Sequence, residues 1–194
     1  MRAWLLIFSS LLSACSTLQT VAPVVDLPDS PESLTRWSMD GRIGVQSGEK
    51  AWQANLFWEH DPQQDRLRLS GPWSQGLVSI ILQKDLIYVN EGAGVTALSK
   101  DPDAVLREKL GFVVPLASLR YWILGRPNPH LGSRPGPAEG GDENQAFEQS
   151  GWHINVQNTT QVDGWLLPQK LVAQGAGVKL KIVTDQWVIR ESAK

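Results

Sequence analysis

Residues 41–71 read GRIGVQSGEKAWQANLFWEHDPQQDRLRLSG, and three runs inside them carry a period of two. Ile43 and Val45 fall on one side of the first run. Trp52, Ala54, Leu56 and Trp58 alternate with Gln53, Asn55 and Phe57 in the second, and Leu67 and Leu69 alternate with Arg66 and Arg68 in the third. Alternation of this kind is the mark of a half-buried strand, because successive side chains leave a strand on opposite faces. Ser47-Gly48-Glu49-Lys50 and Asp61-Pro62-Gln63-Gln64 have turn chemistry and sit between the runs. Strands that follow one another through short turns predict an antiparallel meander without βαβ crossovers.

The same pattern continues toward the C-terminus. Gly71-Pro72-Trp73-Ser74-Gln75-Gly76 connects to a strand over Leu77–Leu82, Leu86–Asn90 follows Gln83-Lys84-Asp85, and Gly92-Ala93-Gly94 offers another hairpin. Two helices then interrupt. Asp101-Pro102-Asp103 caps the first, which Gly111 stops; Pro115 opens the second, with Leu116, Leu119 and Ile123 on one face and Gly125 and Pro127 at its end. Residues 126–150, with Arg134-Pro135-Gly136-Pro137 and Gly140-Gly141, read as a long flexible loop. Strands resume over 152–156, 165–173, 178–182 and 187–189. Ser30-Pro31-Glu32 reads as the start of a further short helix reaching Trp37. Some eleven strands and three short helices predict a mainly β protein, one antiparallel sheet curled around helices, which leaves a cavity unless side chains fill it.

The first fifteen residues carry a different message. Met1-Arg2 is a positive start, and Ala3 to Leu12 is mostly apolar. Ten helical residues cover about 15 Å, half of a ~30 Å hydrocarbon core, so this is the apolar region of a secretory signal and not a spanning helix. It ends in Leu12-Ser13-Ala14-Cys15, a string that resembles the lipobox of bacterial lipoproteins, and Cys15 is the chain's one cysteine. That resemblance implies a signal peptide over residues 1–14, diacylglycerol on the Cys15 sulfur and an acyl chain on the new amino group. With Ser16 next, it also implies sorting to the outer membrane of a Gram-negative bacterium, facing the periplasm. Acyl chains at ~0.8 kcal/mol per buried CH₂ form a stable anchor. Residues 15–30, with Pro23 and Pro28 among polar residues, read as its tether, and residues 31–194 as one domain.

Composition narrows the function. The 194 residues carry 18 Lys and Arg against 20 Asp and Glu, a net charge of -2 that offers no general attraction for nucleic acid. A single cysteine excludes an intramolecular disulfide framework. His60, His130 and His153 have no partner at metal-ligand spacing, Pro72-Trp73-Ser74-Gln75-Gly76 lacks the first glycine of a nucleophile elbow, and no phosphate-binding loop is present. These readings predict neither an enzyme nor a cofactor. The excess is in tryptophan, nine against four Phe and two Tyr. Trp73 stands at the tip of a turn, where it either folds back on the sheet or serves as an apolar finger toward a membrane, since Trp favours the bilayer interface.

Taken together, several stretches resemble the LolB family of outer-membrane lipoproteins. They are Gly41-Arg42-Ile43-Gly44-Val45, Leu56-Phe57-Trp58, Leu67-Arg68-Leu69-Ser70-Gly71-Pro72-Trp73, and above all residues 115–127, PLASLRYWILGRP. Gly151-Trp152 and Lys179-Leu180-Lys181-Ile182 leading to Trp187 extend the likeness over about residues 34–190. It implies an unclosed antiparallel β-barrel with a helical lid over a hydrophobic cavity. It also implies a monomeric receptor that accepts triacylated lipoproteins from a soluble LolA-type periplasmic carrier and releases them into the inner leaflet of the outer membrane. Trp73 stands where the family's membrane-inserting loop typically has Leu, keeping the apolar character, and Arg126 where an apolar residue is common. Candidate cavity-lining residues are Trp52, Trp58, Leu69, Trp122, Trp152 and Trp165. A rival reading is a small-molecule or lipid-binding barrel lipoprotein that takes no protein cargo.

Overall fold

The computed structural model describes residues 34–71, 76–84, 86–92, 96–138 and 145–190. Six strands come first: β1 (Trp37–Ser47), β2 (Lys50–Asp61), β3 (Gln64–Ser70), β4 (Val78–Gln83), β5 (Leu86–Glu91) and β6 (Thr96–Ser99). Helices α1 (Pro102–Leu110) and α2 (Leu116–Trp122) follow. The chain ends with β7 (Ser133–Pro135), β8 (Gln145–Gln149), β9 (Trp152–Val162), β10 (Trp165–Gly175) and β11 (Val178–Ile189). All eleven strands form one antiparallel sheet in the order β6-β5-β4-β3-β2-β1-β11-β10-β9-β8-β7.

That order explains where the helices must go. The first half of the chain builds outward from β1 to the edge strand β6. The second half starts at the opposite edge, β7, and returns to β11 beside β1. The two edges do not pair, so the barrel is unclosed, and the α1–α2 segment is the crossing from one edge to the other.

Register shows which face is inward. Trp37 pairs with His60, Met39 with Trp58, Gly41 with Leu56 and Val45 with Trp52; on the next ladder Trp58 pairs with Leu67 and Leu56 with Leu69. These residues share one face, and all but His60, Trp52 and Gly41 belong to the buried apolar core, which Ile80, Ile87, Ile154, Leu171 and Leu180 continue around the sheet. The alternating Arg66, Arg68, Lys179 and Lys181 are exposed on the other face. At Gly41 a Cβ would stand 2.2 Å from the carbonyl oxygen of Val183, beside the irregularity between Asp40 and Gly41 in the β1–β11 ladder. A bulge there bends the central strands, and only glycine fits the approach.

Helix α1 is capped as its sequence predicts. The Asp101 carboxylate accepts from the Ala104 amide at 3.0 Å, and Gly111 closes the helix in the left-handed conformation at φ 81°.

Two expectations are corrected. The helix expected to reach Trp37 does not: residues 34–36 are not helical and Trp37 opens β1, while Ser30-Pro31-Glu32 lies outside the described residues. The reason is packing, for the Trp37 ring sits between Trp58, at 5.4 Å between ring centroids, and Trp187, at 5.5 Å, which an extended strand paired on both sides provides. Residues 126–150 are not one loop, because they contain β7 and β8. Pro135 sits on the sheet edge, where its missing N–H costs no ladder bond, and β8 places Phe147 and Gln149 on the inward face opposite Ile154 and Trp152 of β9.

Candidate functional site

A cavity lies between the concave face of the sheet and the two helices. Ile43, Trp52, Leu56, Trp58, Leu67 and Leu69 line it from β1–β3, Ile80, Leu180 and Ile182 from β4 and β11. Leu106 closes it from α1, Phe112 and Val114 from the connector, and Leu116 and Leu119 from α2. Every lining residue is apolar. Its free volume is about 40 Å³, where one water needs ~10–15 Å³ of such space and a site that encloses a sizeable ligand has ~300–1,000 Å³. As it stands the site is shut, with the helices seated on the sheet.

The ends of the cavity differ. At one end Trp37, Trp58, Trp187 and His60 form an aromatic floor. Behind it, buried Asp65 accepts the indole N–H of Trp58 at 3.0 Å and lies 2.8 Å from Nδ1 of His60. Its second oxygen faces the Arg120 guanidinium of α2 at 3.2 Å. At the other end, Trp52 is half-buried and its ring lies 5.9 Å from that of Phe112. The β2–β3 ladder begins at Asn55 and Ser70, so Trp52 stands on the part of β2 that projects past β3. At this end of the sheet β3 stops at Ser70 and β4 starts at Val78, and Leu77 is exposed there.

The helices are held very differently. Besides Arg120, α2 donates the Trp122 indole N–H to Oε1 of Gln149 on β8 at 2.8 Å. The same oxygen accepts the Asn128 amide at 2.9 Å, while Nε2 of Gln149 donates to the carbonyls of Asn128 at 2.9 Å and Leu131 at 3.1 Å. The Asn128 side chain in turn donates to Ser118 of α2 at 3.3 Å. Gln149 is 2% exposed, and its amide makes all four of these bonds, which is what burial of such a group requires. Thus α2 is tied to β3 in one half of the sheet and to β8 in the other. For α1, the described bonds are those of its own caps, and Val105 and Leu106 are its buried apolar side chains; the side chains of residues 109 and 110 lie outside the described ones.

Of the residues singled out from sequence, Trp52, Trp58 and Leu69 line the cavity. Trp122, Trp152 and Trp165 are buried but do not: the rings of Trp122 and Trp152 pack on each other at 5.8 Å, beside Gln149 and away from the cavity lining. Cys15 and Trp73 lie outside the described residues. Sequence reasoning missed Asp65, Arg120 and Gln149. A signal for two of them existed, since Asp65 shares its alternation phase with Leu67 and Leu69, and Gln149 shares its phase with Phe147. A polar residue in an apolar phase is either a register error or a buried hydrogen-bonding centre. A larger groove, about 390 Å³, lies on the outer face, where Arg42, Gln53, Asn55 and Lys181 line it together with Ile43, Ala54 and Val183. Its mixed walls contrast with the all-apolar lining under the helices.

An unclosed antiparallel sheet wrapped on a helical lid defines the class. The architecture is similar to that of a LolA superfamily protein from Nitrosomonas europaea, at a TM-score of 0.51 and 9% identity, covering 83% of this chain and 89% of that one. The family model described as "Outer membrane lipoprotein LolB" matches residues 35–187, and the chain belongs to that family. It is 28% identical to the outer-membrane lipoprotein LolB of Marinomonas sp. over 96% of both chains. It is also 28% identical to that of Chromohalobacter salexigens, covering 96% of this chain and 90% of the relative. Among the described residues no helix is long and apolar enough to cross a membrane.

Proposed function

We propose that this protein is the receptor that takes triacylated lipoproteins from a soluble LolA-type carrier and passes them to the inner leaflet of the outer membrane, with no nucleotide hydrolysis. The observation that carries this reading is the all-apolar cavity between lid and sheet in a chain of the LolB family. An acyl chain of about fifteen methylenes costs on the order of 12 kcal/mol to expose to water, at ~0.8 kcal/mol per CH₂. Cargo therefore needs an apolar enclosure until a bilayer takes over.

The closed cavity fits such a relay. Admitting an acyl chain requires the helices to leave their seats, and that loss of packing is subtracted from the affinity for the chain. The receptor consequently holds cargo less well than a membrane, where no such seating is lost, and transfer runs downhill. An acyl anchor at Cys15 keeps the receptor at the destination, and the apolar side chain of Trp73 engages the bilayer.

The test uses the chain without residues 1–14 and with Cys15→Ala, mixed in detergent-free buffer with a carrier–lipoprotein complex. The cargo is expected to co-purify with this protein, and to move on to liposomes when these are added. If the folded protein takes no cargo but binds free fatty acid or phospholipid, the reading fails in favour of a lipid-binding lipoprotein.

A further inference from the structure

We infer that an acyl chain passes into the cavity through the port closed by Trp52 and Phe112, with α1 and its connector as the moving door and α2 as the fixed frame. The inference deepens the receptor reading and rests on it for the identity of what passes. The mechanics rest on the chain alone.

Three observations converge. The first is the asymmetry of attachment. Arg120 and Trp122 fasten α2 to strands on opposite sides of the gap, through Asp65 and Gln149, and Gln149 also grips the chain that leaves α2. Lifting α2 would strip partners from several buried polar groups at once, each costly to leave unmade. The described contacts of α1 and Phe112–Val114 with the rest of the fold are the apolar ones of Val105, Leu106, Phe112 and Val114, and these are the contacts an incoming acyl chain replaces.

The second is the position of the seam. Phe112 is the connector residue that meets the sheet at the rim, against a half-buried Trp52 on the projecting end of β2. The opposite end of the cavity is blocked by the Trp37, Trp58 and Trp187 cluster. A chain entering at the seam meets apolar side chains throughout.

The third is the pair of natural pivots. The turn of Ser99 and Asp101, held by their mutual hydrogen bonds, precedes α1, and Pro115, the N-cap of α2, ends the connector. Gly111 between them is already in a left-handed conformation. Element-terminal residues of this kind absorb the dihedral changes of a hinged segment. Detached, α1 does not persist, because nine residues fall short of the ~12–15 at which a helix becomes even marginal in water.

Hydrogen exchange followed by mass spectrometry tests this on the chain without residues 1–14 and with Cys15→Ala. Amides of residues 104–110 are expected to exchange at least 100-fold faster than those of residues 119–123, at a rate insensitive to low urea, as local opening requires. Equal protection of the two segments, or faster exchange in 119–123, overturns the assignment of door and frame. A second measurement follows uptake of the apolar dye N-phenylnaphthylamine. Phe112→Ala is expected to speed uptake about tenfold with 119–123 still protected, and no acceleration overturns the port. Neither measurement involves cargo or carrier, so a failure here is distinct from a failure of the receptor reading.

Discussion

Trp122 on α2 and Gln149 on β8, 27 residues apart in the chain, meet through an indole N–H donated to Oε1 at 2.8 Å. The bond spans two parts of the molecule that the sheet itself does not join directly, because β8 lies near one free edge and α2 follows from the other. An unclosed barrel has no ladder to hold its edges in place. Here Gln149 and Asp65, each a buried acceptor on one half of the sheet, supply that restraint through the same helix.

Replacing Gln149 by Leu tests the restraint. The Trp122 indole and the Asn128 amide would lose their acceptor, and the carbonyls of Asn128 and Leu131 their donor, with no water able to reach them without opening the core. At about 1–3 kcal/mol for a buried group left unpaired, a loss of about 3 kcal/mol is expected. Urea unfolding of the two proteins measures it. A loss below about 1 kcal/mol would show that the network contributes little to stability.

The ion pair on the other half predicts a smaller effect. Asp65→Asn keeps an acceptor for the Trp58 indole and removes the charge facing Arg120. The Arg120 side chain is 26% exposed, so water recovers part of the loss, and a cost of about 2 kcal/mol is expected rather than the ~3–5 of a wholly buried pair. A double-mutant cycle with Arg120→Gln should return a coupling of about 1 kcal/mol. Zero coupling would mean that α2 is not tied to β3 electrostatically.

The two glycines of Gly41-Arg42-Ile43-Gly44-Val45 are not equivalent. A Cβ on Gly41 meets the Val183 carbonyl oxygen at 2.2 Å and Met39 Cε at 3.0 Å, whereas one on Gly44 meets nothing within 4 Å. Gly41→Ala is expected to destabilise by about 3 kcal/mol, at the upper end of overpacking costs. Gly44→Ala is expected to be neutral or stabilising by up to ~1 kcal/mol, through the unfolded chain. Thermal unfolding of both variants checks the contrast.

How much of this was legible in the sequence follows from the range of each interaction. The strands around Trp52–Trp58 and Leu67–Leu69 were readable because period two is local, and α1 because Asp101 and Gly111 are local caps. The strand β8 was hidden by the Gly- and Pro-rich chain around it, and Trp37 by a helix-like start upstream. Nothing local separates Trp58, which lines the cavity, from Trp122 and Trp152, which stack beside Gln149. That distinction depends on how far the sheet curls and where the helices cross it. The pairing of Asp65 with Arg120 likewise spans the meander and both helices.

The β2–β3 turn gives the protein a defined acid response. The Asp61 carboxylate is partly buried, which raises its pKa. Against this the Gln63 amide at 2.8 Å, the Gln64 side chain and the Gln64 amide at 3.1 Å stabilise the anion, with Arg66 adding attraction, so the net shift is below its ordinary 3.8. A group whose folded pKa is depressed contributes stability that is fully present above the unfolded pKa and lost as pH falls through the folded one. Asp61→Ala should therefore be less stable than the parent at pH 7, and the difference should shrink below about pH 4. A difference constant down to pH 2 would show that the charge has no part in it.

Finally, the cavity predicts a variant that gains binding while it loses stability. Leu56 lines the closed space and is 2% exposed, whereas Ile154 is fully buried outside it. Truncating either to Ala should cost about 2–5 kcal/mol, the range found for deleting large aliphatic side chains from a core. Only Leu56→Ala adds its vacated volume to an existing apolar space, and a cavity of that kind stays dry and accepts apolar molecules. N-phenylnaphthylamine should therefore bind Leu56→Ala more tightly than the parent. At a free dye concentration 100 times its Kd it should restore about 2.7 kcal/mol of the lost stability by linkage. Ile154→Ala should show the same loss without that recovery. Equal recovery in both variants would mean that the dye binds elsewhere and that the space under the helices is not its receptacle.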